Sequence, residues 1–201
     1  MTQTSTGRIL TYIISAGLIS FSSAVAADLL VGKADGGPVV TELGYGITIN
    51  KNSSLHRAWY WINDTSCPVQ LTTSGMRSEY KTTRGTGAYA MRLYGSFTPS
   101  ADVSAALVVT VTFDMFGRLV QSYAWDEISD HHASIAVDLS KDHEWRTSEN
   151  DVSTLLTSVT YVRYVRTPDG KLWGADMSAV SKKLAAINLV VSAEGLESKT
   201  K

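Results

Sequence analysis

Residues 103–125, VSAALVVTVTFDMFGRLVQSYAW, contain the pattern that decides the fold. The stretch is rich in β-branched residues from Val103 to Phe113, and a second run from Leu119 to Trp125 returns after the turn. Enrichment in β-branched residues and a period-two alternation of side chains are typical of β-strands. The letters DMFG separate the two halves, and Gly117 suits a left-handed backbone position in a turn. The stretch therefore predicts a β-hairpin.

The same alternation continues on both sides of this hairpin. It recurs in YGITIN (45–50), AWYWIND (58–64), VQLT (69–72) and TSVTYVRYVRTPDGKLW (157–173). In AWYWIND, large apolar side chains fall on both faces, as in a strand that is covered on two sides. Seven or eight short strands separated by turns predict a mainly β protein, an antiparallel β-sandwich, with a β-barrel as the alternative.

The apolar spacing changes to a helical period near the C-terminus. Val180, Leu184, Ile187 and Val191 recur at helical spacing within MSAVSKKLAAINLVV, which predicts a short C-terminal helix with its lysine pair facing water. The expected organisation is an N-terminal arm over 27–44, either loose or with one short strand around Val39, then a β-sandwich domain with its C-terminal helix over 45–192, and a polar, frayed tail over 193–201.

The first 26 residues predict a secretory signal peptide, with an uncleaved anchor as the alternative. Arg8 precedes an apolar stretch from Ile9 to Phe21, and small residues then end in AVA at Ala26, after which we expect cleavage. The apolar stretch is shorter than the roughly 20 residues of a spanning helix. A short apolar stretch with an alanine site is typical of bacteria, so the expected location is periplasmic or extracellular.

The charge balance excludes two classes of partner. The formal net charge is -1, without the basic footprint of a nucleic-acid binder or the polybasic patch of a membrane-surface protein. Later apolar stretches are interrupted by polar residues at strand spacing. We expect no nucleic-acid partner, no transmembrane segment in the mature chain and no cofactor.

The segment VVTVTFDMFGRLV resembles part of the small bacterial extracytoplasmic β-sandwich modules of the FxLYD type. In those modules, a strand that ends in an aromatic residue and an aspartate turns through a glycine into the next strand. Phe113, Asp114 and Gly117 match this pattern, with Phe113 in place of the usual tyrosine. The resemblance implies an immunoglobulin-like or fibronectin-like sandwich, and such modules are mostly noncatalytic. The whole layout also resembles an uncharacterised secreted bacterial family.

Aromatic residues supply the candidate binding surfaces. Tyrosines and arginines interleave in VTYVRYVR, which predicts an exposed row that includes Tyr161, Arg163 and Tyr164. Strict alternation would put Tyr161 and Arg163 on one face of this strand and Tyr164 on the other. An edge strand open to strand addition is a second candidate surface. Trp125 and Trp145 are candidate platforms for carbohydrate, and the alternative for both is a place in the core.

Histidines and carboxylates supply the candidate metal ligands. His131, His132, His143 and Glu144 lie in the least regular part of the chain, and these residue types bind zinc and other divalent metals. A site would form if the two loops face each other, and solvated loops are the alternative. The sequence contains no H-E-x-x-H or G-x-S-x-G motif, so no catalytic residue is assigned.

Cys67 is the only cysteine, which excludes an intrachain disulfide. We expect it to be mostly buried at the start of a strand, with pairing between chains or a reactive thiol as the alternatives. Taken together, these patterns predict a secreted or periplasmic noncatalytic domain that binds a protein or a component of the cell envelope. A carbohydrate-binding module is the alternative, and a metal-dependent enzyme is the third possibility.

Overall fold

The computed structural model describes residues 28–38, 40–43, 46–49, 56–83, 86–114, 116–127, 129–141 and 155–198. The predicted signal peptide lies outside these residues. The strands are β1 Leu29–Pro38, β2 Val40–Leu43, β3 Gly46–Ile49, β4 His56–Asp64, β5 Val69–Thr83, β6 Thr86–Pro99, β7 Ala105–Asp114, β8 Leu119–Glu127, β9 Val137–Lys141, β10 Leu155–Arg166 and β11 Leu172–Gly174. The helices are α1 Met177–Ala185 and α2 Ala193–Ser198.

The strands form a central sheet, a smaller sheet and a separate hairpin. The central sheet has the order β1-β4-β10-β7-β8, with β11 beside the end of β10. The smaller sheet has the order β5-β6-β9, and β2 pairs with β3. The prediction of a mainly β chain with a C-terminal helix is confirmed. The strictly antiparallel prediction is wrong at one pair, because β10 and β4 run parallel from Thr157 opposite Ala58 to Tyr161 opposite Ile62.

The central sheet is covered on both faces, and β4 shows this most clearly. Trp59 belongs to the apolar cluster shared with the smaller sheet. Ile62, on the opposite face of β4, belongs to the cluster shared with the two helices. The alternation in AWYWIND therefore matches a strand buried on two sides, as the sequence predicts.

The face toward the smaller sheet combines an apolar cluster with a band of buried hydroxyl groups. Phe97 and Val69 of the smaller sheet pack with Val108 of the central sheet. Beside this cluster, Thr160 of β10 hydrogen-bonds with Ser74 of β5, and its Oγ1 lies 2.8 Å from Oγ1 of Thr110. All three hydroxyl-bearing residues are buried. The hydroxyl groups therefore connect the two sheets across their interface.

The opposite face is covered by α1 and α2. Val180 and Leu184 of α1 pack in one cluster with odd-numbered β7 residues such as Val111. The Asp176 carboxylate caps α1 by accepting hydrogen bonds from Ser178 N at 2.9 Å and Ala179 N at 3.2 Å. The predicted helix is thus present, but it ends at Ala185 instead of continuing to Val191. None of the helices in the described part of the chain is long and apolar enough to cross a membrane.

The segment predicted as an N-terminal arm contains the strand β1, which pairs with β4 along its length. Its glycines explain why the sequence suggested a loose arm. Gly32 and Gly36 lie against the indole rings of Trp61 and Trp59, and a Cβ atom on either glycine would overlap the ring. The glycines therefore make room for the tryptophans.

The segment predicted as a frayed tail also has regular structure. Its first six residues form α2, and Leu196 is fully buried among the helix-facing core residues. The Ser192 hydroxyl accepts a hydrogen bond from Gly195 N at 3.1 Å, which is helix-capping chemistry. Burial of one leucine thus fixes this short helix against the sheet.

The β7–β8 turn is organised by Asp114. Its carboxylate accepts hydrogen bonds from Phe116 N and Arg118 N, both at 2.9 Å, and lies 2.8 Å from the Arg118 guanidinium. Gly117 has a φ of 73°, so the predicted left-handed position is confirmed. Val190 N donates to the Gly117 carbonyl at 3.1 Å, which ties the turn to the segment after α1.

Candidate functional site

A β-bulge in β10 creates the candidate site. The register with β7 shifts between Val162 and Tyr164, so Arg163 is an extra residue in the strand. Val162 and Val165 both belong to the cluster that faces the smaller sheet. The two residues between them, Arg163 and Tyr164, are therefore neighbours on the helix-covered side. The prediction from strict alternation that Arg163 and Tyr164 lie on opposite faces of the strand is therefore wrong.

Arg163 is held in place by three different contacts. One terminal nitrogen donates to the Ala175 carbonyl at 2.9 Å, and the other lies 3.1 Å from Oε1 of Glu197 in α2. The guanidinium also lies over the Tyr164 ring, 4.5 Å from its centroid. Arg163 is only 9% exposed, so its guanidinium is a largely buried cation that these contacts hold in one position.

Tyr164 forms one wall of an open hollow at this position. The hollow has a volume of about 330 Å³ and is lined by Leu107, Arg163, Tyr164 and Glu197; we call it the Arg163 hollow. Tyr164 is 38% exposed. Its ring also lies close to Gly174 of β11, where a Cβ atom would be 3.2 Å from the ring. The aromatic ring is therefore fixed between the guanidinium and the neighbouring strand.

Tyr161 lies in the core and not on an exposed row. It is 1% exposed, among the residues packed under α1 and α2. Its hydroxyl has no hydrogen-bond partner in the described part of the chain. Burial raises the pKa of Tyr161 well above its ordinary value; the nearby Arg163 opposes this rise and Glu197 adds to it. The hydroxyl is thus protonated at neutral pH, and the charges of Arg163 and Glu197 act on its pKa in opposite directions.

The two tryptophan candidates have different positions. Trp125 lies in β8, opposite Val108 of β7. Trp145 lies outside the described residues. Nothing in the described geometry therefore assigns either residue to a carbohydrate platform.

The structure does not bring the metal candidates together within the residues it describes. His131 packs edge-on against Phe97, with ring centroids 5.5 Å apart, and its Nε2 lies 2.9 Å from Ser129 Oγ. Nδ1 of His132 instead lies 3.6 Å from the Asp102 carboxylate. The described ranges contain no group of three or more histidine, cysteine, aspartate or glutamate side chains that could hold a metal ion. His143 and Glu144 lie outside these ranges.

Cys67 is buried, as predicted from the sequence, but it lies two residues before β5 and not at the start of the strand. It is 4% exposed and belongs to the cluster between the sheets. Burial raises the pKa of the thiol to about 12, although the Val69 N–H, 3.4 Å from Sγ, opposes this rise. A thiol in this state is a poor nucleophile at neutral pH.

Sequence reasoning missed Leu107 and Glu197 as members of the site. Leu107 is one apolar residue in an apolar strand, and only its register opposite Tyr164 places it in the hollow. Glu197 lies in the segment for which the sequence predicts a polar tail. The available signal was Ser192, a helix-capping residue type, followed four residues later by the apolar Leu196.

Comparisons with known proteins leave the site unassigned. No family model and no curated protein matches the sequence. Among solved structures, the chain is similar to a hypothetical protein from Peptoclostridium difficile 630, with a TM-score of 0.43 and 11% sequence identity. The similarity covers 69% of this chain and 100% of that one.

Proposed function

We propose that this chain is a noncatalytic binding domain that acts in the periplasm or outside the cell and recognises a protein partner through the Arg163 hollow. The observation that carries the proposal is the bulge that places Arg163 beside Tyr164 at the edge of an open hollow. Tyrosine and arginine are the residue types enriched at the energetic centres of protein interfaces.

The rigidity of these two side chains supports the proposal. The Arg163 guanidinium is fixed by the Ala175 carbonyl and by the Tyr164 ring before any partner arrives. Side chains that are already ordered lose less conformational entropy when they bind. A partially exposed tyrosine in this setting can act as an anchor.

The positions of the reactive groups favour binding over catalysis. Cys67 is buried with a raised pKa, and the hydroxyl groups of Ser74, Thr110 and Thr160 bond to one another between the sheets. These side chains have structural roles that explain their presence.

The export and family assignments belong to the same proposal. The apolar segment ending in AVA at Ala26 supports export. The facing sheets and the Phe113-Asp114 turn through Gly117 support a relation to immunoglobulin-like or fibronectin-like modules. Such a relation must accommodate the parallel β4–β10 pair and the helical layer.

Site-specific photocrosslinking tests the proposed surface. Two variants carry a photoreactive phenylalanine analogue, one in place of Tyr164 and the other in place of the exposed Lys182 of α1. Each variant is expressed in the cells that naturally produce this protein. We expect a discrete crosslinked species from position 164 and none from position 182. The matched pair Tyr164→Ala and Leu172→Ala, both at exposed large side chains, should lose and retain partner binding, respectively. Equal crosslinking from both positions, or none from position 164, would refute this function.

A further inference from the structure

The Arg163 hollow holds more hydrogen-bond donors than acceptors. A guanidinium group has five N–H donors. The described contacts of Arg163 direct its two terminal nitrogens to the Ala175 carbonyl and to Glu197, one oxygen each. The guanidinium of Arg163 can therefore donate to an additional hydrogen-bond acceptor.

Glu197 supplies the only carboxylate among the residues that line the hollow. Its side chain is 54% exposed, whereas that of Arg163 is 11% exposed. It contacts Arg163 through a single oxygen at 3.1 Å instead of the two-oxygen fork that carboxylates form with arginine at their best. An ion pair with one exposed partner is weak, so Glu197 can be displaced.

We propose that the Arg163 hollow binds an acidic side chain, Asp or Glu, of the protein partner, and that this carboxylate takes the place on Arg163 that Glu197 occupies in the free protein. This inference rests on the proposed function and names the chemistry that the same site recognises. Leu107 and the exposed part of the Tyr164 ring would contact the aliphatic stem of the incoming side chain.

The charges of the hollow favour an acidic group over the alternatives. Among the lining residues, a basic side chain could pair with Glu197 alone and would be repelled by Arg163, which the Ala175 carbonyl and the Tyr164 ring hold independently of Glu197. A carboxylate matches the planar fork of the guanidinium.

Peptide titration followed by NMR tests this inference. The probes are an acetylated and amidated Ala-Leu-Glu-Ala peptide and its Ala-Leu-Gln-Ala counterpart, and the readouts are the backbone amides of Tyr164, Gly174 and Ala175. We expect the glutamate peptide to shift these amides and the glutamine peptide to leave them unchanged. No shift with the glutamate peptide up to about 10 mM, a concentration that detects even millimolar affinity, overturns the inference.

A pair of variants in α2 gives the sharpest result. Glu197→Gln removes the competing carboxylate, so the affinity for the glutamate peptide should rise about two- to fivefold, as expected for loss of a weak ion pair. Glu194→Gln, in the same helix and exposed, should leave the affinity unchanged. If Glu197→Gln weakens binding or does not change it, Glu197 is not a surrogate for the ligand and the inference is wrong.

Two further measurements distinguish a wrong ligand assignment from a wrong proposed function. Inorganic phosphate that shifts the same amides as strongly as the glutamate peptide would overturn the carboxylate assignment. Equal binding of the glutamate and glutamine peptides would also overturn it, yet leave the proposed binding function intact. The proposed function itself fails only if position 164 yields no specific crosslink.

Discussion

The two faces of the central sheet are closed in different ways. The face toward the smaller sheet is closed by hydrogen-bonded strands, an apolar cluster and buried hydroxyl groups that bond across the interface. The other face is closed by two short helices, and the second helix ends beside the Arg163 hollow. The candidate site thus lies at the end of the helical layer, where the central sheet is incompletely covered and a partner has room to bind.

The largest expected contrast concerns the thiol buried on the sheet-covered face. Burial raises the pKa of Cys67 from an ordinary value of 9.0 to about 12, so the thiolate is about a thousandfold rarer at neutral pH. We therefore expect a disulfide reagent to label the native protein far more slowly than the urea-unfolded chain, because burial both lowers the thiolate population and blocks access to it. Rapid labelling of the native protein would show that this face opens readily and would revive pairing between chains.

Matched leucines compare the rigidity of the two faces. Leu93 packs between the sheets, Leu184 of α1 packs in the cluster on the other face, and both are almost fully buried. Leucine-to-alanine changes cost about 2–5 kcal/mol, and the cost falls when the surroundings can close the cavity. A short helix can shift more easily than a hydrogen-bonded strand, so Leu93→Ala should approach the upper end and Leu184→Ala the lower end. Urea denaturation measures both, and the reverse order would contradict the comparison.

The hydroxyl band gives a smaller effect. Thr160→Val removes the group that Ser74 and Thr110 both contact, and it leaves two buried hydroxyl groups without this partner. Such a loss costs about 1–3 kcal/mol of unfolding free energy. Thr72→Val, at an exposed position, is the control and should cost less than about 0.5 kcal/mol. Equal effects of the two changes would mean that the band does not stabilise the sheet interface.

The smallest expected effect is the loss of stability at acid pH that comes from Asp114 in the β7–β8 turn. Burial raises the pKa of Asp114, but hydrogen bonds from Arg118 and Phe116 outweigh it and leave the pKa below its ordinary value. The native state therefore gains stability from this carboxylate above about pH 4, and loses it as the pH falls through the lowered pKa. Asp114→Asn should cost about 1 kcal/mol at pH 7 and progressively less below pH 4. A cost that is independent of pH, measured by thermal unfolding across this range, would contradict this assignment.

Local patterns predicted the features that depend on local chemistry. The Gly117 turn, the start of the helix at Met177 and the burial of Cys67 all follow from residues close in sequence. The bulge at Arg163 does not, because it is set by the register with Leu107 on another strand. The role of Gly32 also depends on a contact with another strand. A glycine that makes room for Trp61 cannot be distinguished, from the sequence alone, from a glycine in a loose arm.

The parallel pairing of β4 with β10 constrains the order in which the protein can fold. Ser158 pairs opposite Trp59, so the centre of the sheet joins segments about 100 residues apart. Closing so long a loop is slow and gives no contact energy until the end of the process. The central sheet therefore cannot be completed until most of the chain has been synthesised. A polypeptide with this delay remains unfolded for longer than one whose strands pair only with their neighbours in sequence.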